Sequence, residues 1–62
     1  MASLIKKIII EEACGDCTVI LESYKELSVA RFDGSYNSVN EKNAKKLAEE
    51  LKKLFYCNIE TR

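Results

Sequence analysis

The stretch from Leu4 to Tyr24, LIKKIIIEEACGDCTVILESY, decides the fold. It opens with the aliphatic run Ile8-Ile9-Ile10, bounded by Lys7 and Glu11, and ends with a second apolar segment from Cys17 to Tyr24. β-Branched residues suit a pleated, half-buried surface, so Leu4 to Ala13 and Cys17 to Tyr24 are expected as strands. Gly15-Asp16 lies between them. A Gly-Asp loop fits a type II′ hairpin, with glycine supplying the positive φ. That turn implies a register in which Cys14 faces Cys17, Glu12 faces Val19, Ile10 faces Leu21, Ile9 faces Glu22 and Lys7 faces Tyr24.

A third strand is expected from Leu27 to Asp33, joined through Lys25-Glu26, so that Leu21 faces Ala30 and Val19 faces Phe32. Asp33-Gly34 signals a turn, and Ser35-Tyr36-Asn37 reads as a loop or a brief fourth strand. The helix follows. Ser38 and Glu41 have capping-box spacing, and Ala44, Leu47, Ala48, Leu51, Leu54 and Phe55 recur on one helical stripe. The opposite side carries Lys42, Lys45, Lys46, Glu49, Glu50 and Lys53. The helix should end near Tyr56 or Cys57, with Asn58 as its left-handed cap, and Ile59-Glu60 as a short last strand or a tail. The expected fold is α+β: a three-stranded antiparallel sheet, with room for a fourth strand, and one amphipathic helix packed on one face. The order is β-β-β-α, in one domain spanning residues 1–62.

Alternation along the strands then sorts the apolar residues. One sheet face collects Ile8, Ile10, Val19, Leu21, Ala30 and Phe32, with Cys14 and Cys17 at its turn end, and is the seat of the helix. The other face collects Ile5, Ile9, Ile20, Tyr24, Leu27 and Val29, diluted by Lys7, Glu11, Glu22 and Arg31. A strand with one wet face should be polar on that face. Six apolar residues there suggest a docking patch, and a chain of 62 residues gains from extra burial. The leading functional reading is therefore a small interaction or regulatory module, acting by surface binding on another protein or on a second copy of itself as a homodimer.

Two further readings compete. Cys14-x-x-Cys17 with Cys57 could hold Zn²⁺ in a metal-stabilised module, although the chain has no histidine and an odd number of cysteines, three. Otherwise no cofactor is expected. The lysines of the helix, Lys42, Lys45, Lys46, Lys52 and Lys53, could meet nucleic acid with Tyr24, Tyr36 and Tyr56 as stacking platforms. Zero net charge, from ten basic and ten acidic residues, lowers that expectation, so nucleic acid is not an expected partner. Residues 1–37 hold four basic and six acidic residues, and residues 38–62 hold six and four. An asymmetry of two charges in each direction implies no phosphate site by itself.

An enzyme is not expected. No histidine offers a general base near neutral pH, and Glu11-Glu12 are neighbours on a strand, pointing to opposite faces. No aliphatic run approaches a membrane span, and Glu11 and Glu12 interrupt any signal-like apolar region. Thiols without a complete disulfide framework point to the reducing cytoplasm.

Overall fold

The computed structural model describes residues 4–34 and 36–62. Its elements are strands β1 (Lys7–Ala13), β2 (Asp16–Glu22) and β3 (Glu26–Phe32), helix α1 (Asn37–Phe55) and strand β4 (Asn58–Thr61). They form one four-stranded sheet in the order β3-β2-β1-β4, with α1 on one face. This is the α+β architecture expected. The fourth strand is the C-terminal segment, and it lies against β1 in parallel, with Lys7 opposite Asn58 and Ile10 opposite Thr61. Of the alternative placement, Ser35 lies outside the described residues, Tyr36 is the helix N-cap and Asn37 is already helical.

The β1–β2 turn is centred one residue earlier than expected. Its central residues are Cys14 and Gly15, with φ of +53° and +84°, and Ala13 pairs with Asp16. Two consecutive positive φ angles define a type I′ turn, whose twist matches the strands. The register is shifted by two residues, so Ile9 faces Ile20 and Ile10 faces Val19. A shift of two preserves the pleat, and every side chain of this hairpin keeps its expected face.

The β2–β3 hairpin corrects the sequence reading more deeply. Glu22 pairs with Glu26 across a loop of Ser23, Tyr24 and Lys25, and Leu21 pairs with Leu27. Further along, Val19 pairs with Ala30 while Ile20 pairs with Ser28, so Val29 is an extra residue at a bulge. A bulge inverts the alternation beyond it. Ala30 and Phe32 therefore stay on the helix face, but Leu27 joins them there and Ser28 takes the opposite face.

The core lies between sheet and helix. Ile8, Ile10, Cys17, Val19, Ala44 and Ala48 are buried, with Leu21, Phe32, Leu47, Leu51, Cys57 and Ile59 packed around them. Ala44 and Ala48, one turn apart, let the helix backbone approach the sheet closely. The capping box does not form. The helix begins at Asn37, leaving Ser38 inside its first turn, and no side chain caps it. Glu41 pairs instead with Lys45 at 2.8 Å. What fixes this end is Asn40, buried, whose Nδ2 donates to the carbonyl of Gly15 at 3.0 Å. Helix and hairpin turn are thus tied together. At the other end the left-handed residue is Tyr56, φ +53° and ψ +49°, whose N–H donates to the Lys52 carbonyl at 2.8 Å. Asn58, expected as the cap, begins β4 instead.

Candidate interaction surfaces

The face of the sheet turned away from the helix is not the open apolar patch expected. Ile9 and Ile20 pair at its centre and are 0% and 5% exposed. Register places Lys7, Glu11, Glu22, Glu26 and Glu60 around them on the same face. Arg62 follows β4 beside Glu11, since its N–H donates to the Ile10 carbonyl. Yet its guanidinium reaches both carboxylate oxygens of Glu26, on the opposite edge strand, at 3.2 and 2.6 Å. A side chain running from beside Glu11 to a carboxylate at the level of Glu22 must cross over Ile9 and Ile20. The aliphatic stem of arginine covers apolar surface while its head stays polar. Lys7 supports the arrangement from β1, at 3.0 Å from Glu60 and 3.8 Å from Glu22. Hydrogen bonds from Arg62 and Lys7 hold the Glu26 and Glu60 carboxyls below their ordinary range.

The six residues assigned to that patch are therefore dispersed. Ile5 is half-buried at the approach to β1, Ile9 and Ile20 are enclosed, and Tyr24 stands in the β2–β3 loop. Leu27 has moved to the helix face and Val29 sits at the bulge, each 46% exposed. The last two share a different surface, the outer edge of β3. The sheet has two edges. β4 is four residues long and carries Glu60, with Arg62 just beyond it, which is how natural edges resist pairing. β3 is seven residues long and exposed over its first four. Leu54, on the last turns of α1, is exposed at the same end.

That end of the molecule is a third feature. The β2–β3 loop, the approach to β1 and the α1–β4 connection all lie beside the Lys7–Glu22–Asn58 level of the sheet. Tyr24 and Tyr56 are 88% and 91% exposed there. Lys6, Lys25, Lys52 and Lys53 share this end; among the described residues, the first three have no carboxylate within ion-pair distance, and Lys53 lies 3.6 Å from Glu50. Tyr56 has a left-handed backbone, which costs a non-glycine residue about 1–2 kcal/mol, and its ring recovers little by packing. The opposite end, with the Cys14-Gly15 turn, is acidic: Glu12, Asp16, Asp33 and Glu41 cluster there, with Arg31 held between Asp16 and Asp33.

The cysteines do not converge. Cys14 is exposed, Cys17 buried and Cys57 half-buried, all as free thiols. Cys17 faces Glu12, whereas Cys57 precedes Asn58, which faces Lys7. Five strand residues separate those levels, about 17 Å, far beyond the spacing of thiolates on one tetrahedral zinc. Among the described residues no group of three metal-binding side chains comes together. Burial pushes the Cys17 and Cys57 thiols up, away from thiolate character.

A groove of about 550 Å³ runs between α1 and β4, lined by Ile10, Lys45, Glu49, Lys52, Asn58, Ile59 and Thr61. No helix among the described residues is long and apolar enough to cross a membrane.

Comparison with family models, with curated proteins and with solved structures finds no match. The surfaces of the chain itself are the ground on which a function can be argued.

Proposed function

We propose that the chain is a small, non-enzymatic binding module that self-associates through the outer edge of β3. The observation that carries this reading is the contrast in length and apolar exposure between the two edges: four residues at β4, against seven at β3, where Leu27 and Val29 are half exposed on either side of the bulge. An unpaired edge offers a row of N–H and C=O groups to another strand. In the antiparallel register that sets Glu26 of one β3 opposite Arg31 of the other, the two charges meet on the same face as an addition to their contacts with Arg62 and Asp16. The symmetric contact closes on itself as a dimer. Three free thiols support a reducing, cytoplasmic setting.

Analytical ultracentrifugation tests the reading. A dimer is expected for the wild type, and a folded monomer for Val29→Lys. A wild-type monomer at micromolar concentration ends it. Ile20→Glu is not a suitable probe, because that side chain is enclosed and a buried carboxylate would unfold the chain.

A further inference from the structure

We infer that the end of the molecule bearing Tyr24 and Tyr56 binds single-stranded nucleic acid, a surface separate from the β3 edge contact proposed above. Two aromatic rings stand almost fully in solvent on neighbouring connections, 88% and 91% exposed. Lys25 follows Tyr24 in the same loop, Lys52 and Lys53 line a shallow pocket with Tyr56, and Lys6 lies on the approach to β1 at the same end. β2 and β4, from which the two connections spring, lie two strand spacings apart, about 10 Å, a separation that a few nucleotides can bridge.

Tyr56 gives the surface its functional reading. Its left-handed backbone is the conformation glycine adopts most easily at a helix C-terminus. A tyrosine there strains the chain and gains little packing in return, and strain of this kind accumulates at functional positions. The ring faces outward, so its use is external. The partner must then offer both an anion for the lysines and a flat surface for the rings. An acidic peptide meets only the first need, since the face of an aromatic ring is itself negative and gives a carboxylate nothing. A single-stranded polynucleotide meets both, by phosphate contact and base stacking. Zero net charge for the whole chain does not exclude this, because Glu22 and Glu26 at the same end are tied to Lys7 and Arg62, which leaves Lys6, Lys25 and Lys52 without a carboxylate partner among the described residues.

The test is titration of mixed-sequence single-stranded DNA and RNA oligonucleotides with the full chain, read by anisotropy and by tyrosine fluorescence, which no tryptophan obscures. Expected is binding that quenches tyrosine emission and weakens with salt, with a slope of about −3 in log affinity against log salt for four lysine–phosphate contacts. Tyr24→Ala with Tyr56→Ala should weaken it by about tenfold or more, while Tyr36→Ala, at the other end, should leave it unchanged. Tyr56→Gly separates binding from folding: it should raise Tm yet weaken binding. Absent binding, binding indifferent to the tyrosine pair, or equal competition by a polyglutamate peptide would each overturn the inference. Sedimentation judges the β3 edge independently of all these outcomes.

Discussion

Arg62 and Glu26 lie on opposite sides of the sheet, one just past edge strand β4 and the other opening edge strand β3, yet their side chains meet in a two-pronged ion pair at 3.2 and 2.6 Å. The pair ties the outer strands together across the face the helix leaves bare. Arg62→Ala should lower Tm and increase binding of a hydrophobic dye, as Ile9 and Ile20 become accessible. Arg62→Lys should restore less than half of the loss, because an ammonium cannot reproduce the fork. Unchanged dye binding in Arg62→Ala would mean that other groups cover the isoleucines.

The same pair makes stability depend on acidity. Glu26 is held below its ordinary value chiefly by the Arg62 hydrogen bond, and Glu60 chiefly by that of Lys7. A carboxyl depressed in the folded state contributes stability that is complete above its unfolded value, about 4.3, and disappears as pH falls through the lower folded value. Melting followed from pH 7 to pH 2 should therefore show Glu26→Gln less stable than wild type at neutrality, with the gap closing below about pH 4. A constant gap across that range would contradict the linkage.

The type I′ turn carries a non-optimal residue. Cys14 has φ of +53°, a conformation asparagine tolerates better. Cys14→Asn creates Asn-Gly, the preferred type I′ pair, and should stabilise by about 0.5–1 kcal/mol in urea melts. Gly15→Ala should destabilise by more than 1 kcal/mol, roughly, since φ is +84° and the new methyl would run into the Asn37 amide.

Asn40 joins that turn to the helix. Asn40→Ala removes the bond to the Gly15 carbonyl and should cost about 1–3 kcal/mol. Ala48→Leu, one turn below the equally buried Ala44, should cost about as much by forcing helix and sheet apart. Hydrogen exchange would distinguish them: the first should loosen the turn locally, the second the whole core.

Thiol labelling reads the cysteine geometry directly. Cys14 should react with a disulfide reagent within seconds, and Cys17, buried with its thiol pushed up, only through opening of the fold. A Cys17 that labels as fast as Cys14 would contradict the burial described.

Much of this architecture is legible in the chain. The helix stripe, the three strands and the face assignment of the first hairpin follow from periodicity, and the hairpin survives a two-residue error in register because the pleat has period two. The second hairpin is less legible: Lys25-Glu26 carries no turn chemistry, and nothing in Leu27-Ser28-Val29-Ala30 announces a bulge. That one extra residue moves Leu27 to the other face and dissolves the six-residue patch. Arg62 is missed for another reason. Asn58-Ile59-Glu60-Thr61 has the alternation of a strand with one half-buried residue, but pairing with β1 comes only from tertiary docking. Tyr24 and Tyr56 share an end for the same reason, through sheet topology rather than spacing.

The placement of β4 has a kinetic consequence. β1, β2 and β3 can zip together through loops of two and three residues, whereas β4 meets β1 only after the intervening chain has turned into a helix and crossed the sheet. Closing so long a loop is slow compared with closing a hairpin. The final strand, and the arginine behind it, should arrive last. Until then Ile9 and Ile20 stand uncovered, so a nascent molecule is briefly stickier than the finished one.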